Sequence, residues 1–145
     1  MIWHRILWLA GSVVISGYLA LKARADESPQ TRQLRVNSVD LSYIEQGTGA
    51  PVVFVHGAFS DLRFWKPQRQ AVAKQYRFIA YNHRYHGTDP WPDDGKNYSA
   101  VTHAADLATL IRKLNAGPAH IVAISYGGLL ATLVAAEHPV LVRKA

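Results

Sequence analysis

The chain has 145 residues, enough for one domain at most, and at 49% hydrophobic and 18% charged it has the composition of a globular protein. Its formal charge of +6 overstates its basicity: Arg5, Lys22 and Arg24 stand in an apolar leader, and without them 13 Lys and Arg face 10 acids, with no basic run interleaved with aromatics that would suggest nucleic acid as a partner. Zero cysteines exclude disulfides, thiolate metal sites and a Cys nucleophile.

The first 25 residues read as a targeting segment. Met1 to Arg5 is short and basic, Ile6 to Leu21 is an apolar run of sixteen residues, and Ala23-Arg24-Ala25 offers a small-x-small cleavage pattern before Asp26. The run is long for a signal core and just short of the roughly 20 residues that span a bilayer, so two readings stand: a signal peptide, or a retained N-terminal anchor with membrane contact through residues 1–25. Either makes the protein exported (periplasmic or secreted) or membrane-anchored. The polar stretch 26–32 reads as a linker.

Past the linker, strands and helices alternate, the pattern of an α/β fold with a mostly parallel sheet. Gln33 to Asn37 and Leu41 to Glu45 alternate apolar and polar residues around Asn-Ser-Val-Asp, predicting an antiparallel hairpin. Pro51 to Val55 is a continuous apolar run, as in a strand covered on both faces. Arg63 to Tyr76 reads as a helix with Phe64, Trp65, Ala71, Val72 and Tyr76 inward, and Arg77 to Asn82 as a strand. After a loop from Asn82 to Asn97, broken by Pro90, Pro92 and Gly95, comes the best amphipathic helix: Ala104, Leu107, Ala108, Ile111 and Leu114 recur at helical spacing, with Asp106 outside that set. Gly117 and Pro118 end it, and Ala119 to Ile124 returns to a buried strand.

That strand runs through Ser125 directly into the apolar helix ending near His138, the layout of a nucleophile elbow, in which a Ser on a sharp strand-to-helix turn needs small neighbours. The match is A-x-S-x-G, with Ala123 at the first glycine and Gly127 and Gly128 expected to supply room. By itself, a Ser at that position is as readily an N-cap. Two further patches lie in order on predicted strand ends: Val52 to Phe59, VVFVHGAF, and Tyr81 to Pro90, YNHRYHGTDP.

Together these patches resemble the serine-nucleophile branch of the α/β-hydrolase superfamily, from about Gln33 to Ala145. VVFVHGAF is similar to the family's strand and His-Gly-x oxyanion loop. YNHRYHGTDP is similar to its D-x-R-G-x-G-x-S turn: Arg84, His86 and Gly87 match, whereas Asn82, Tyr85 and Asp89 depart. The resemblance implies Ser125 as covalent nucleophile, an oxyanion hole from the backbone N–H groups of Ala58 and Tyr126, a small acyl substrate such as an ester, and no cofactor or metal. His56 is then a packed loop residue that shapes the oxyanion loop.

In that family the triad acid and histidine follow the Ser in chain order, and only Glu137 and His138 follow it here, adjacent on the last turn of the elbow helix. Residues 33–145 are therefore expected to form the N-terminal part of an incomplete α/β-hydrolase fold, inactive alone, with Ala119 to Ile124 as an exposed edge strand prone to self-association. Two alternatives remain: a noncatalytic binding module on the same fold, and C–C hydrolysis or cofactor-free haloperoxidase-like chemistry. Dehalogenase and epoxide-hydrolase branches place Asp at the nucleophile position, which disfavours them. Lesser candidates are Trp65, Trp91 and Tyr98 as lining of an acyl pocket, His83 and His86 as metal ligands without a clear third, and Asp106 as a solvated or paired residue rather than a triad acid.

Overall fold

A computed structural model describes residues 29–91 and 93–145. The leader reading falls outside these residues.

Strands β1 (Arg32–Val36) and β2 (Val39–Gln46) form the expected antiparallel hairpin, closed by a two-residue turn at Asn37 and Ser38 with Val36 opposite Val39. Asn37 adopts φ 50°, a left-handed conformation that Asn tolerates better than most residues and that tight hairpin turns require. β3 (Pro51–Val55), β4 (Arg77–Tyr81) and β5 (Ala119–Ala123) follow the sequence reading, and a short β6 (Val142–Lys144) adds to it. The sheet order is β1-β2-β4-β3-β5-β6, with β4, β3, β5 and β6 mutually parallel and the hairpin antiparallel at one end.

Alternation along the central strands builds two cores. Val53 and Val55 of β3 and Ile79 and Tyr81 of β4 face α2 (Ala100–Lys113) and α3 (Tyr126–Glu137), where Leu107, Leu110, Ile111, Leu130 and Val134 are buried. Their alternates Val52, Phe54, Phe78 and Ala80 face α1 (Lys66–Ala73) and the 3₁₀ turn Leu62–Trp65 before it, with Phe54 packed at a tilt against Phe78 and Trp65 at centroid separations of 4.5 and 5.0 Å. A sheet covered on both faces explains the uninterrupted apolar runs.

Three expectations need correction. The predicted helix Arg63 to Tyr76 is a 3₁₀ turn followed by a shorter α-helix with Pro67 in its first turn, which rotates the buried side to Leu62, Trp65 and Arg69 and leaves Phe64, Ala71 and Tyr76 exposed. β1 begins at Arg32, inside the expected linker. The strand carrying the elbow is not left as an open edge along its length: β6 pairs with it through Ala119 opposite Val142 and His120 opposite Lys144, so only its carboxyl half lacks a neighbour on that side. A three-residue edge strand with Arg143 and Lys144 on it is a poor template for self-association.

Candidate functional site

Residue 125 stands where β5 gives way to α3, at the carboxyl end of the sheet. Its backbone sits at φ 53°, ψ −123°, a region that L-residues other than Gly rarely occupy, and the Ser side chain makes no capping bond to the first turn of α3. A capping role for Ser125 is thus excluded. The side chain is exposed, and among the described residues no group is hydrogen-bonded to its Oγ.

Close approach dictates the glycines around it. A Cβ on Gly127 would lie 2.4 Å from the Val55 carbonyl oxygen and 2.6 Å from that of His56, so α3 can start against the end of β3 only without a side chain there. Gly57, in the loop after β3, faces the elbow: a Cβ on it would meet Ser125 Cβ at 3.3 Å and Oγ at 3.8 Å. Gly128, expected to share this role, has open space around it, so the room comes from Gly127 and Gly57.

The structure therefore brings Ser125, Tyr126 and the Gly57-Ala58 peptide to one place. Tyr126 is the first residue of α3, and its N–H is among those a helix leaves unpaired at its start. The Gly57 carbonyl and the Ala58 N–H belong to one trans peptide and point in opposite directions, and His56 Nδ1 donates to that carbonyl at 2.8 Å. The tautomer follows from the other side of the ring, where His56 Nε2 accepts the N–H of His83 at 3.3 Å. His56 thus holds the orientation of the Ala58 N–H, and burial pushes its pKa down to about 4.

Three more histidines complete a buried cluster. His83 stacks on His56 at 3.9 Å between ring centroids and donates from Nε2 to the His56 carbonyl at 2.9 Å; burial, with His56 beside it, pushes its pKa down to about 2. His86 bridges the Arg84 and Ala58 carbonyls, each 2.7 Å from a ring nitrogen, and so ties the turn after β4 to the loop after β3. His103 of α2 hydrogen-bonds Tyr126 Oη through Nδ1 at 2.9 Å, and burial lowers it to about 4. Since His83 and His86 turn ring nitrogens to carbonyl oxygens, they are structural; among the described residues no group has the geometry to hold a metal ion.

The turn after β4 is built by three departures from the family pattern. Asn82 accepts the Leu62 N–H at 2.8 Å, and Gly87 passes so close that a Cβ would lie 2.2 Å from the Asn82 amide nitrogen. Tyr85, at a position the pattern gives to Gly, has φ 64° and is held by its hydroxyl on Asp93 at 3.0 Å and by the tilted ring of Trp91 5.0 Å away. Asp89 accepts from Ser42 Oγ at 2.5 Å and from Gln33 at 3.3 Å. Asp106 is buried and paired: Arg84 binds it through two nitrogens, and Asn37 donates to it at 2.6 Å. Its carboxylate is thereby committed away from Ser125. Of the aromatic candidates, Trp65 is in the core, Trp91 packs against the other core, and Tyr98 alone reaches the elbow, stacked on Tyr126 at 6.0 Å.

Sequence reasoning missed the link between His103 and Tyr126. Its signal was present: His103 precedes Ala104 and lies four residues before Leu107 on the inward stripe of α2, where a polar residue needs a partner.

A strained Ser between a parallel strand and a helix, beside a His-Gly loop at the end of the neighbouring strand, is the arrangement of one fold family. The model of the α/β hydrolase fold matches residues 50–145, and the chain belongs to that family. It is 33% identical over 113 residues to 2-(acetamidomethylene)succinate hydrolase of Mesorhizobium japonicum, covering 78% of this chain and 40% of the relative. Among solved structures, E-2-(acetamidomethylene)succinate hydrolase superposes with a TM-score of 0.72 at 30% identity, over 80% of this chain and 42% of that one. An epoxide hydrolase of Vigna radiata superposes with a TM-score of 0.75 at 25% identity, over 79% of this chain and 38% of that one. The chain thus spans about 40% of the length of the curated relative it matches.

Proposed function

We propose that this chain carries the nucleophile and oxyanion half of a serine hydrolase acting on an ester or similar small acyl substrate. In that reading Ser125 attacks the substrate carbonyl, and the N–H groups of Tyr126 and Ala58 receive the developing negative oxygen. The observation that supports it most is the backbone of Ser125: a non-glycine residue at φ 53°, ψ −123°, exposed and uncapped beside Gly57, carries strain that a merely structural Ser has no need of. The side chain at the elbow also bears on the choice among relatives. Epoxide opening in this superfamily sets a carboxylate there, and residue 125 is Ser, which favours hydrolysis through a hydroxyl nucleophile over epoxide opening.

A hydroxyl needs a base to become a nucleophile. Because no histidine among the described residues bonds Ser125 Oγ, and His56, His83, His86 and His103 are committed to other partners, the proton acceptor is assigned to residues outside those described. An oxyanion hole without its triad base retains roughly 10³ to 10⁴ over water and loses about 10⁶ against a full triad. The test is prolonged exposure of the chain to a fluorophosphonate, with each serine followed by mass spectrometry. Slow labelling at Ser125, above every other serine and absent in Ser125→Ala, is expected. Labelling without preference for Ser125 would sink the nucleophile assignment, and rapid stoichiometric labelling would show that the chain already holds its base.

A further inference from the structure

Two arginines are buried in the described structure, and they differ in one respect. Arg84 has the Asp106 carboxylate on two of its nitrogens. Arg69, on α1, is 7% exposed, has its Nε buried without a hydrogen-bond partner, and forms no ion pair with an acidic side chain among the described residues. Other buried ionisable groups escape the cost of burial by becoming neutral, but a guanidinium keeps its charge at any pH a protein meets. An Arg buried to this extent, with its Nε unpaired and no carboxylate on it among the described residues, is either an incomplete site or a cost to stability.

Its surroundings point to the first. Arg69 lines a cavity of about 270 Å³ together with Pro29, Thr31, Ile44, Leu62, Arg63 and Lys66. Arg63 is neutralised there by Asp61, which accepts two bonds from its Nε at 2.9 and 3.0 Å, so the charge left for an incoming group is that of Arg69 and Lys66. Thr31 adds a polar residue to the lining, and Pro29, Ile44 and Leu62 apolar ones. None of these residues belongs to the elbow or its two neighbouring loops.

We propose that this cavity is a binding site for a small anion presenting a carboxylate or phosphate group to Arg69 and Lys66, with a compact apolar body against Ile44 and Leu62. The proposal is independent of the chemistry assigned to Ser125. A planar guanidinium with fixed donors suits the paired oxygens of such groups, and Lys66 contributes a second positive charge from the same helix, three residues away and so on the same side.

Calorimetric titration of the whole chain with inorganic phosphate, and separately with succinate, at constant ionic strength in chloride, tests it. One-to-one saturable binding of at least one anion is expected, and the stronger of the two tells phosphate from carboxylate. Arg69→Met should weaken that binding at least about tenfold, the loss expected for a charge-assisted pair, without lowering the urea midpoint of the unliganded chain. Lys66→Gln, at an exposed position that does not endanger folding, should weaken it by roughly threefold. The proposal is overturned if neither anion binds more than chloride does, if Arg69→Met binds like the parent, or if binding emerges only in an Asp26→Asn, Glu27→Gln double variant, which would assign the guanidinium to the chain's own carboxylates.

Discussion

Strain at one residue and contact at another account for most of the elbow. Ser125 occupies a backbone conformation that costs of order 1–3 kcal/mol for a residue with a Cβ, and Gly has no such cost. Ser125→Gly should therefore raise stability to urea by about 1 kcal/mol while removing all labelling by a fluorophosphonate, the trade expected where strain serves function. An unchanged or lower urea midpoint would show that the conformation is not strained. The two glycines that follow separate sharply although the sequence presents them as equals. Gly127→Ala forces a methyl into the Val55 and His56 carbonyls and should cost about 3 kcal/mol or more, a clash the backbone has to move to relieve. Gly128→Ala meets nothing and should be neutral or stabilise α3 by up to about 1 kcal/mol. Equal effects in the two variants, measured in the same denaturation series, would contradict the geometry.

At the scale of elements, the site depends on buried polar ties between segments far apart in the chain. Asp106 of α2 holds Arg84 after β4 and Asn37 of the hairpin turn, so one carboxylate fastens three elements around the first core. Asp106→Asn leaves a buried guanidinium uncompensated, and roughly 3–5 kcal/mol of stability should be lost. Asp106→Ala combined with Arg84→Met should recover much of it, and failure of the double variant to recover would show that the tie, and not the isolated charge, is what matters. His56 performs the corresponding task for the loop after β3. Its replacement by Phe keeps an aromatic ring, though a larger one, but releases the Gly57 carbonyl, and the slow labelling at Ser125 should fall by about 10² if the Ala58 N–H is a donor to the oxyanion. Labelling at the parent rate would remove Ala58 from the hole.

On the scale of the whole molecule, the histidine cluster sets the pH range of the fold. His56, His83 and His103 are buried, and desolvation holds each below the ordinary value of 6.5, at about 4, about 2 and about 4. A histidine depressed in the folded state binds its proton more readily when unfolded. The stability it allows is therefore complete above pH 6.5 and is lost as pH falls from there toward the folded value. At pH 5 the linkage for His56 alone amounts to about 2 kcal/mol, so the urea midpoint should drop steeply between pH 7 and 5. A midpoint flat over that interval would mean that the cluster is hydrated or already charged.

What the sequence determined by itself is what arises from short-range periodicity and from turn chemistry. The continuous run Val52 to Val55, the helical stripe Ala104, Leu107, Ala108 and Ile111, and the small residues flanking Ser125 each express a local rule, and with them come the strand order along the chain, the α/β class and the position of the elbow. The buried side of α1 escaped it because the preceding turn, Leu62 to Trp65, winds at three residues per turn, which rotates every later side chain away from the α-helical forecast. Only the tertiary structure decided which partner each buried polar group takes. His56, His83, His86 and His103 come from three separate segments, Arg84 reaches Asp106 across 22 positions, and β6 finds β5 after a full helix. These pairings are imposed by packing: a buried donor or charge has to be satisfied by whatever the fold brings within about 3 Å, and that distance is not written in any window of the chain.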